Sequence, residues 1–114
     1  MIVSAGNQET FTFAKSIGVG LVSSAINLTK ICLFNRPEFI LFIGSAGSYG
    51  NHKIFDIVES KNSSNIEMSF LENFSYTPID NAVRIDTNLT KSEVVVNSSN
   101  YIRTDQTLSK ELLH

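Results

Sequence analysis

Phe39-Ile-Leu-Phe-Ile43, followed by Gly44-Ser45-Ala46-Gly47-Ser48-Tyr49-Gly50, is the stretch on which the reading of this chain turns. The apolar run has the length of a buried strand, and the loop after it is made of small residues. α/β proteins bring bare backbone up to a ligand in this way, at the carboxyl end of a buried strand. Glycine has no Cβ and tolerates positive φ, so N–H groups in such a loop can converge on a phosphate, a sugar hydroxyl or a carboxylate. Glycines also follow buried strands because the chain must turn, so the loop alone leaves a plain turn open.

Upstream of this stretch, Arg36-Pro37 marks the end of a helix, because the residue before proline is pushed out of the α region. From about Val19 to Asn35 apolar residues recur at helical spacing, with Leu21, Ala25, Leu28 and Cys32 on one line and Val22, Ile26 and Leu33 beside it. Ser16 to Gly20 turns the chain into that helix. Before it, Met1 to Ala5 and Thr10 to Lys15 read as two adjacent strands, the second with Phe11 and Phe13 on one side. Strand, helix and strand in this order predict a βαβ unit with a right-handed crossover.

Downstream, Ile54 to Glu59 and Asn65 to Leu71 read as strands around a polar turn, Ser60 to Ser64. Glu72 to Asn81 mixes aromatics with Pro78 and reads as irregular chain. Glu93 to Val96 is a short β-branched strand. Thr104 is a good N-cap for a last helix, with Leu108, Leu112 and Leu113 on one face.

Composition bounds the function. A chain of 114 residues has room for one small domain. Apolar residues at 42% and charged residues at 18% are ordinary for a globular protein, and a net charge of −2 offers no basic stripe for nucleic acid. No segment approaches the ~20 apolar residues of a membrane span, and the amino terminus lacks the pattern of a signal peptide, so a cytoplasmic location is expected. Cys32, the single cysteine, reads as an ordinary buried thiol. His52 has no second ligand at metal spacing and reads as an exposed loop histidine, so no metal site and no cofactor are expected.

Several segments, in order, carry a resemblance. Ser16-Ile-Gly-Val-Gly-Leu-Val-Ser-Ser-Ala-Ile-Asn27, then Arg36-Pro-Glu-Phe-Ile-Leu-Phe-Ile-Gly-Ser-Ala-Gly47, then Asp56-Ile-Val58 are similar to motifs of the purine nucleoside phosphorylase and methylthioadenosine/S-adenosylhomocysteine nucleosidase family. That family reads roughly Ser-Gly-Ile-Gly-x-x-x-Ala-Ala, a strand ending in Gly-Ser-Ala-Gly-Gly, and Gly-Asp-Ile-Val. Here Phe55 replaces the glycine before the aspartate, and Ser48 replaces the second glycine of the loop. Ser98-Ser-Asn-Tyr-Ile102 is similar to the family's Ser-Gly-Asp-x-Phe-Ile. The resemblance runs from about Ser16 to Ile102.

It implies an α/β fold with a central mixed β-sheet flanked by helices, of which residues 1–114 would form a single partial domain. It also implies cleavage of the N-glycosidic bond of purine nucleosides in a homo-oligomer, with the aromatics Phe70, Phe74 and Tyr76 as a candidate subunit surface. By the resemblance Ser45, Ala46 and Gly47 line the nucleoside pocket, while Tyr101 and Ile102 hold the base. A purine is a flat apolar ring with a polar edge, so an aromatic face plus backbone donors and acceptors suits it. On the residues alone, the favoured reading of Tyr101 is a core aromatic with its hydroxyl at the surface.

Glycosidic cleavage passes through an oxocarbenium-like state and needs a delivered nucleophile and a stabilised leaving base. In the nucleosidases a glutamate near the amino terminus, after a strand like Ile-Gly-Ala-Met-x-x-Glu, positions water. Met1-Ile-Val-Ser-Ala-Gly-Asn-Gln-Glu9 has a similar shape, making Glu9 the candidate; a solvated hairpin charge is the competing reading. Related phosphorylases place an arginine for phosphate two residues before the loop glycine, where this chain has Phe42. Lys15, Arg36 and Lys53 are the nearest cations in sequence. Water is therefore favoured over phosphate as nucleophile. Family members continue past the helix near Thr104 to a Met-Glu that grips the ribose and an Asp that protonates the base, so the resemblance implies a chain inactive by itself. A non-catalytic nucleoside binder and a structural paralogue of the same fold remain open. A Rossmann-type turn fits poorly, because Gly44, Gly47 and Gly50 fall at intervals of three.

Overall fold

A computed structural model describes residues 1–101 of the chain. It divides into two compact units, Met1–Ala46 and Gly47–His114. Both contain helix and strand, so the chain is broadly α/β, but each unit has its own three-stranded sheet rather than sharing a central one.

In the first unit, strand β1 (Ile2–Ser4) lies between β2 (Lys15–Ser16) and β3 (Leu41–Phe42), and both pairings are parallel. Val3 stands opposite Lys15 on one side and Phe42 on the other. Helix α1 (Leu21–Asn35) carries the chain from β2 to β3 across β1, the βαβ connection that the sequence predicts. Its C-cap is Arg36 in the left-handed region (φ 43°, ψ 57°), so the helix stops where the Arg-Pro pair places its end.

The core is small: Val3, Ile17 and Ile31, with Ile40 half-buried against them. Ile31 lies on the inward line of α1 with Ser24, Asn27 and Leu28, which are also partly covered. Two of these are polar, and they fasten the turn that starts the helix. Asn27 Nδ2 donates to the Ile17 carbonyl at 2.7 Å and Ser24 Oγ to the Gly18 carbonyl at 3.1 Å. Gly18 itself has φ 99°, and a Cβ there would stand 2.8 Å from the Ser23 Cβ. A glycine is required at that point both by conformation and by space.

Several sequence expectations are corrected in this unit. Thr10 to Lys15 is not a strand: Ala14 N–H bonds back to the Phe11 carbonyl at 3.3 Å, and pairing with β1 begins only at Lys15. The inward line of α1 runs through Ser24 and Asn27, leaving Leu21, Val22, Ile26 and Leu33 exposed. Cys32 is exposed as well, not a buried thiol. The Phe39–Ile43 strand is shorter and less buried than its composition predicts. As an edge strand, β3 leaves Leu41 and Phe42 exposed and Ile43 half-covered.

The second unit is built around β4 (Asn62–Ser64), which pairs antiparallel with β5 (Ala82–Arg84) and parallel with β6 (Val95–Asn97). Helix α2 (Met68–Leu71) is a single turn. Here β4 occupies residues expected to be a polar turn, and α2 lies within a predicted strand. Ile54 to Glu59 forms no strand and contains a turn closed by Asp56 N–H to the Lys53 carbonyl at 3.1 Å. The irregular stretch from Glu72 to Asn81 and the strand near Val96 agree with the sequence reading. The helix expected from Thr104 lies outside the described residues. No helix among the described residues is long and apolar enough to cross a membrane.

Candidate functional site

Parallel strands place all their carboxyl ends at one edge of the sheet, and in the first unit each of the three runs into glycine within a few residues. Gly6 follows β1, Gly18 follows β2 and Gly44 follows β3. After β1 the chain reverses through Gly6 (φ 89°) and Asn7 (φ 58°), closed by Glu9 N–H to the Gly6 carbonyl at 3.0 Å. A Cβ at Gly6 would stand 3.0 Å from the Ser16 side chain, so the turn also lies close against the end of β2. Asn suits the left-handed position because its short polar side chain tolerates it.

That reversal carries Glu9 to the loop after β3. Its Oε1 accepts from the Ser45 N–H at 3.0 Å and from the Ser45 hydroxyl at 2.5 Å. The carboxylate is thus held at one oxygen by a backbone and a side-chain donor, while Oε2 accepts nothing from the described residues. A carboxylate gripped through one oxygen and open at the other has the form of a group that orients a water or a hydroxyl. Gly44 makes the approach possible, since a Cβ there would lie 3.0 Å from Glu9 Oε2 and 3.2 Å from the Phe42 ring. Glu9 also closes the reversal after β1 and its contacts with Ser45 are exposed, so the competing reading of it as a solvated hairpin charge stays open.

Of the residues singled out in the sequence, Glu9 and Ser45 are therefore brought together, 36 positions apart. Ala46 follows Ser45 as the exposed last residue of this unit. Gly47 opens the second unit, which also contains Tyr101, 82% exposed and so not a core aromatic. Ile102 lies outside the described residues. Phe42, at the position where a phosphate-binding arginine would stand, is 57% exposed. Arg36 caps α1 before β3 begins and Lys15 stands opposite Val3 within the sheet, so neither is placed by the Glu9 and Ser45 contact. One group at this edge had no signal in the sequence. Ser4, the last residue of β1, is fully buried, and its Oγ has no hydrogen-bond partner among the described residues.

In the second unit, Asp56 Oδ2 accepts the Lys53 N–H at 2.8 Å and lies 3.9 Å from His52 Nδ1, both side chains half-exposed. The carboxylate reaches back three residues to the N–H that opens its own turn, as the acidic residue of a capping box does, and this accounts for Asp56 structurally. No cluster of three or more His, Cys, Asp or Glu suited to a metal occurs among the described residues.

Compared with protein-family models, curated proteins and solved structures, the chain has no match in any of the three.

Proposed function

We propose that the carboxyl edge of the first sheet is the nucleoside-facing part of an enzyme that cleaves the N-glycosidic bond of purine nucleosides, with water as the nucleophile. The observation that carries this reading is the Glu9 carboxylate held by the backbone and hydroxyl of Ser45. In it, Oε2 of Glu9 orients the attacking water, and the backbone of Ser45 and Ala46 faces the nucleoside. Two features support water over phosphate: Phe42 stands where a phosphate-binding arginine would, and the Glu9 carboxylate would repel a dianion beside it.

The test is release of free base from inosine, adenosine and methylthioadenosine, with and without phosphate, alongside nucleoside binding by calorimetry. Nucleoside binding is the expected outcome, and any base release is expected to be independent of phosphate and to fall by about 10²- to 10⁴-fold in Glu9→Gln, which removes the general base while keeping the shape. Release that requires phosphate would overturn the choice of nucleophile. Binding without release leaves the nucleoside-facing role standing and withdraws catalysis by this chain, and the absence of both removes the nucleoside reading altogether.

A further inference from the structure

Between β4 and β5 the chain makes a long excursion that is tied across at two levels. At its base the Asn65 N–H donates to the Asn81 carbonyl at 2.7 Å, continuing the β4–β5 ladder. Farther out the Ser69 and Ser75 hydroxyls are hydrogen-bonded at 2.9 Å, and the Phe74 N–H donates to the Ser69 carbonyl at 2.8 Å. Between these ties the two arms part around a hollow of about 140 Å³, whose walls include Glu67, Phe70, Tyr76, Ile79 and Asp80. Of the hydroxyls that also line it, Ser75 Oγ is engaged with Ser69, and Thr77 Oγ1 closes a turn with the Ile79 N–H and carbonyl, both at 3.3 Å. The carboxylates are less committed. Glu67 accepts the Asn100 N–H through Oε1, which leaves Oε2, and neither Glu67 nor Asp80 has an ion-pair partner among the described residues. The stretch from Asn62 to Val83 carries Glu67, Glu72 and Asp80 and no Lys, Arg or His. What the hollow has to spare is negative charge beside two aromatic rings.

We propose that this hollow binds a methylated ammonium ion. Carboxylates and aromatic rings both attract a cation, the rings through their quadrupole. A bare ammonium is compact and strongly hydrated, and gains little by leaving water for an open hollow. A quaternary one has methyl groups to bury on Phe70, Tyr76 and Ile79 and no N–H to satisfy. Size agrees. The liquid share of one water is about 30 Å³, so the hollow takes about five atoms of that size, the number in a trimethylammonium group with its first carbon. The site lies in the second unit, shares no residue with the Glu9 and Ser45 contact, and does not depend on the nucleoside reading.

Tetramethylammonium chloride titrated into the full chain should shift the amide signals of residues 65–81 saturably, beyond the change that sodium chloride gives at equal ionic strength. Choline should do the same, and the neutral analogue of choline with carbon in place of nitrogen should not. Asp80→Asn and Tyr76→Leu, at exposed positions, should each weaken binding about two- to fivefold, the range of one exposed ion pair or one exposed cation–π contact. Glu67→Gln should weaken it likewise while keeping an oxygen for the Asn100 N–H, and if that variant misfolds the other two carry the test. Glu9→Gln should bind as the parent does. Shifts no larger than those with sodium chloride, equal binding of the neutral analogue, tighter binding of methylammonium than of tetramethylammonium, or parent affinity in both Asp80→Asn and Tyr76→Leu would each overturn the proposal.

Discussion

Gly44 bears on the candidate site through what it lacks. A methyl group there would press on Glu9 Oε2 at 3.0 Å and on the Phe42 ring at 3.2 Å, and both are ends of movable side chains rather than backbone. Gly44→Ala should therefore cost little stability, within about 1 kcal/mol, because the backbone φ is not in the left-handed region and a restricted unfolded chain offsets part of any strain. The same substitution should displace the carboxylate from Ser45 and weaken nucleoside binding by about three- to tenfold, the loss of one hydrogen bond's net contribution. Thermal denaturation and calorimetric titration of the one variant check both. A large loss of stability with unchanged binding would mean that the Glu9 contact serves folding and not the ligand. Gly18 offers the contrast, since its φ of 99° and the 2.8 Å approach to Ser23 make it a requirement of the fold.

The two units are stabilised in different ways at the scale of elements, and this decides how well each is read from sequence. In the first unit β1 and α1 stand within a residue or two of their expected bounds, α1 ending at the Arg36-Pro37 stop, although the apolar line that marks the helix in the sequence is not the line it buries. In the second, the central strand β4 is Asn-Ser-Ser, a composition that propensity assigns to a turn. It is a strand because side chains complete its bonding. Asn97 Oδ1 accepts from the Ser64 hydroxyl at 2.7 Å and the Ile66 N–H at 2.8 Å, while its Nδ2 donates to the Ile66 carbonyl at 2.9 Å. A partner more than thirty residues away leaves no local pattern, so no periodicity argument reaches it. The Glu9 and Ser45 contact is illegible for the same reason; the resemblance marked both residues, but nothing in their spacing joins them. Asn97→Ala strands three polar groups at partly covered positions and should destabilise the second sheet by about 1–3 kcal/mol. Asn97→Asp, which keeps the acceptor and loses the donor, should fall between this variant and the parent. Urea denaturation followed by the amide signals of 62–64 and 95–97 measures the order, and equal effects of the two substitutions would contradict the assigned role of Oδ1.

Across the whole chain, apolar burial is unevenly shared. The buried hydrophobic residues among those described, Val3, Ile17 and Ile31, all belong to the first unit, while Ser64 is the buried residue of the second. Apolar burial at about 25 cal/mol per Å² is the main source of cooperative stability, and a sheet held by exposed polar bonds opens locally at little cost. Amide hydrogen exchange should therefore differ between comparable backbone bonds in the two units. The Ile17 N–H to the Ser4 carbonyl at 2.8 Å and the Ile43 N–H to the Val3 carbonyl at 2.9 Å flank the core and should exchange only on global opening of their unit. Ile85 N–H to the Lys61 carbonyl and Ser98 N–H to the Ser64 carbonyl, both 2.8 Å, are as short but lie in a sheet without buried hydrophobic residues among those described. These should exchange at least about tenfold faster, a difference of 1.4 kcal/mol in opening free energy. Equal protection would show that hydrogen bonding alone, without apolar cover, sets the stability of the second sheet, and would also raise the effect expected of Asn97→Ala.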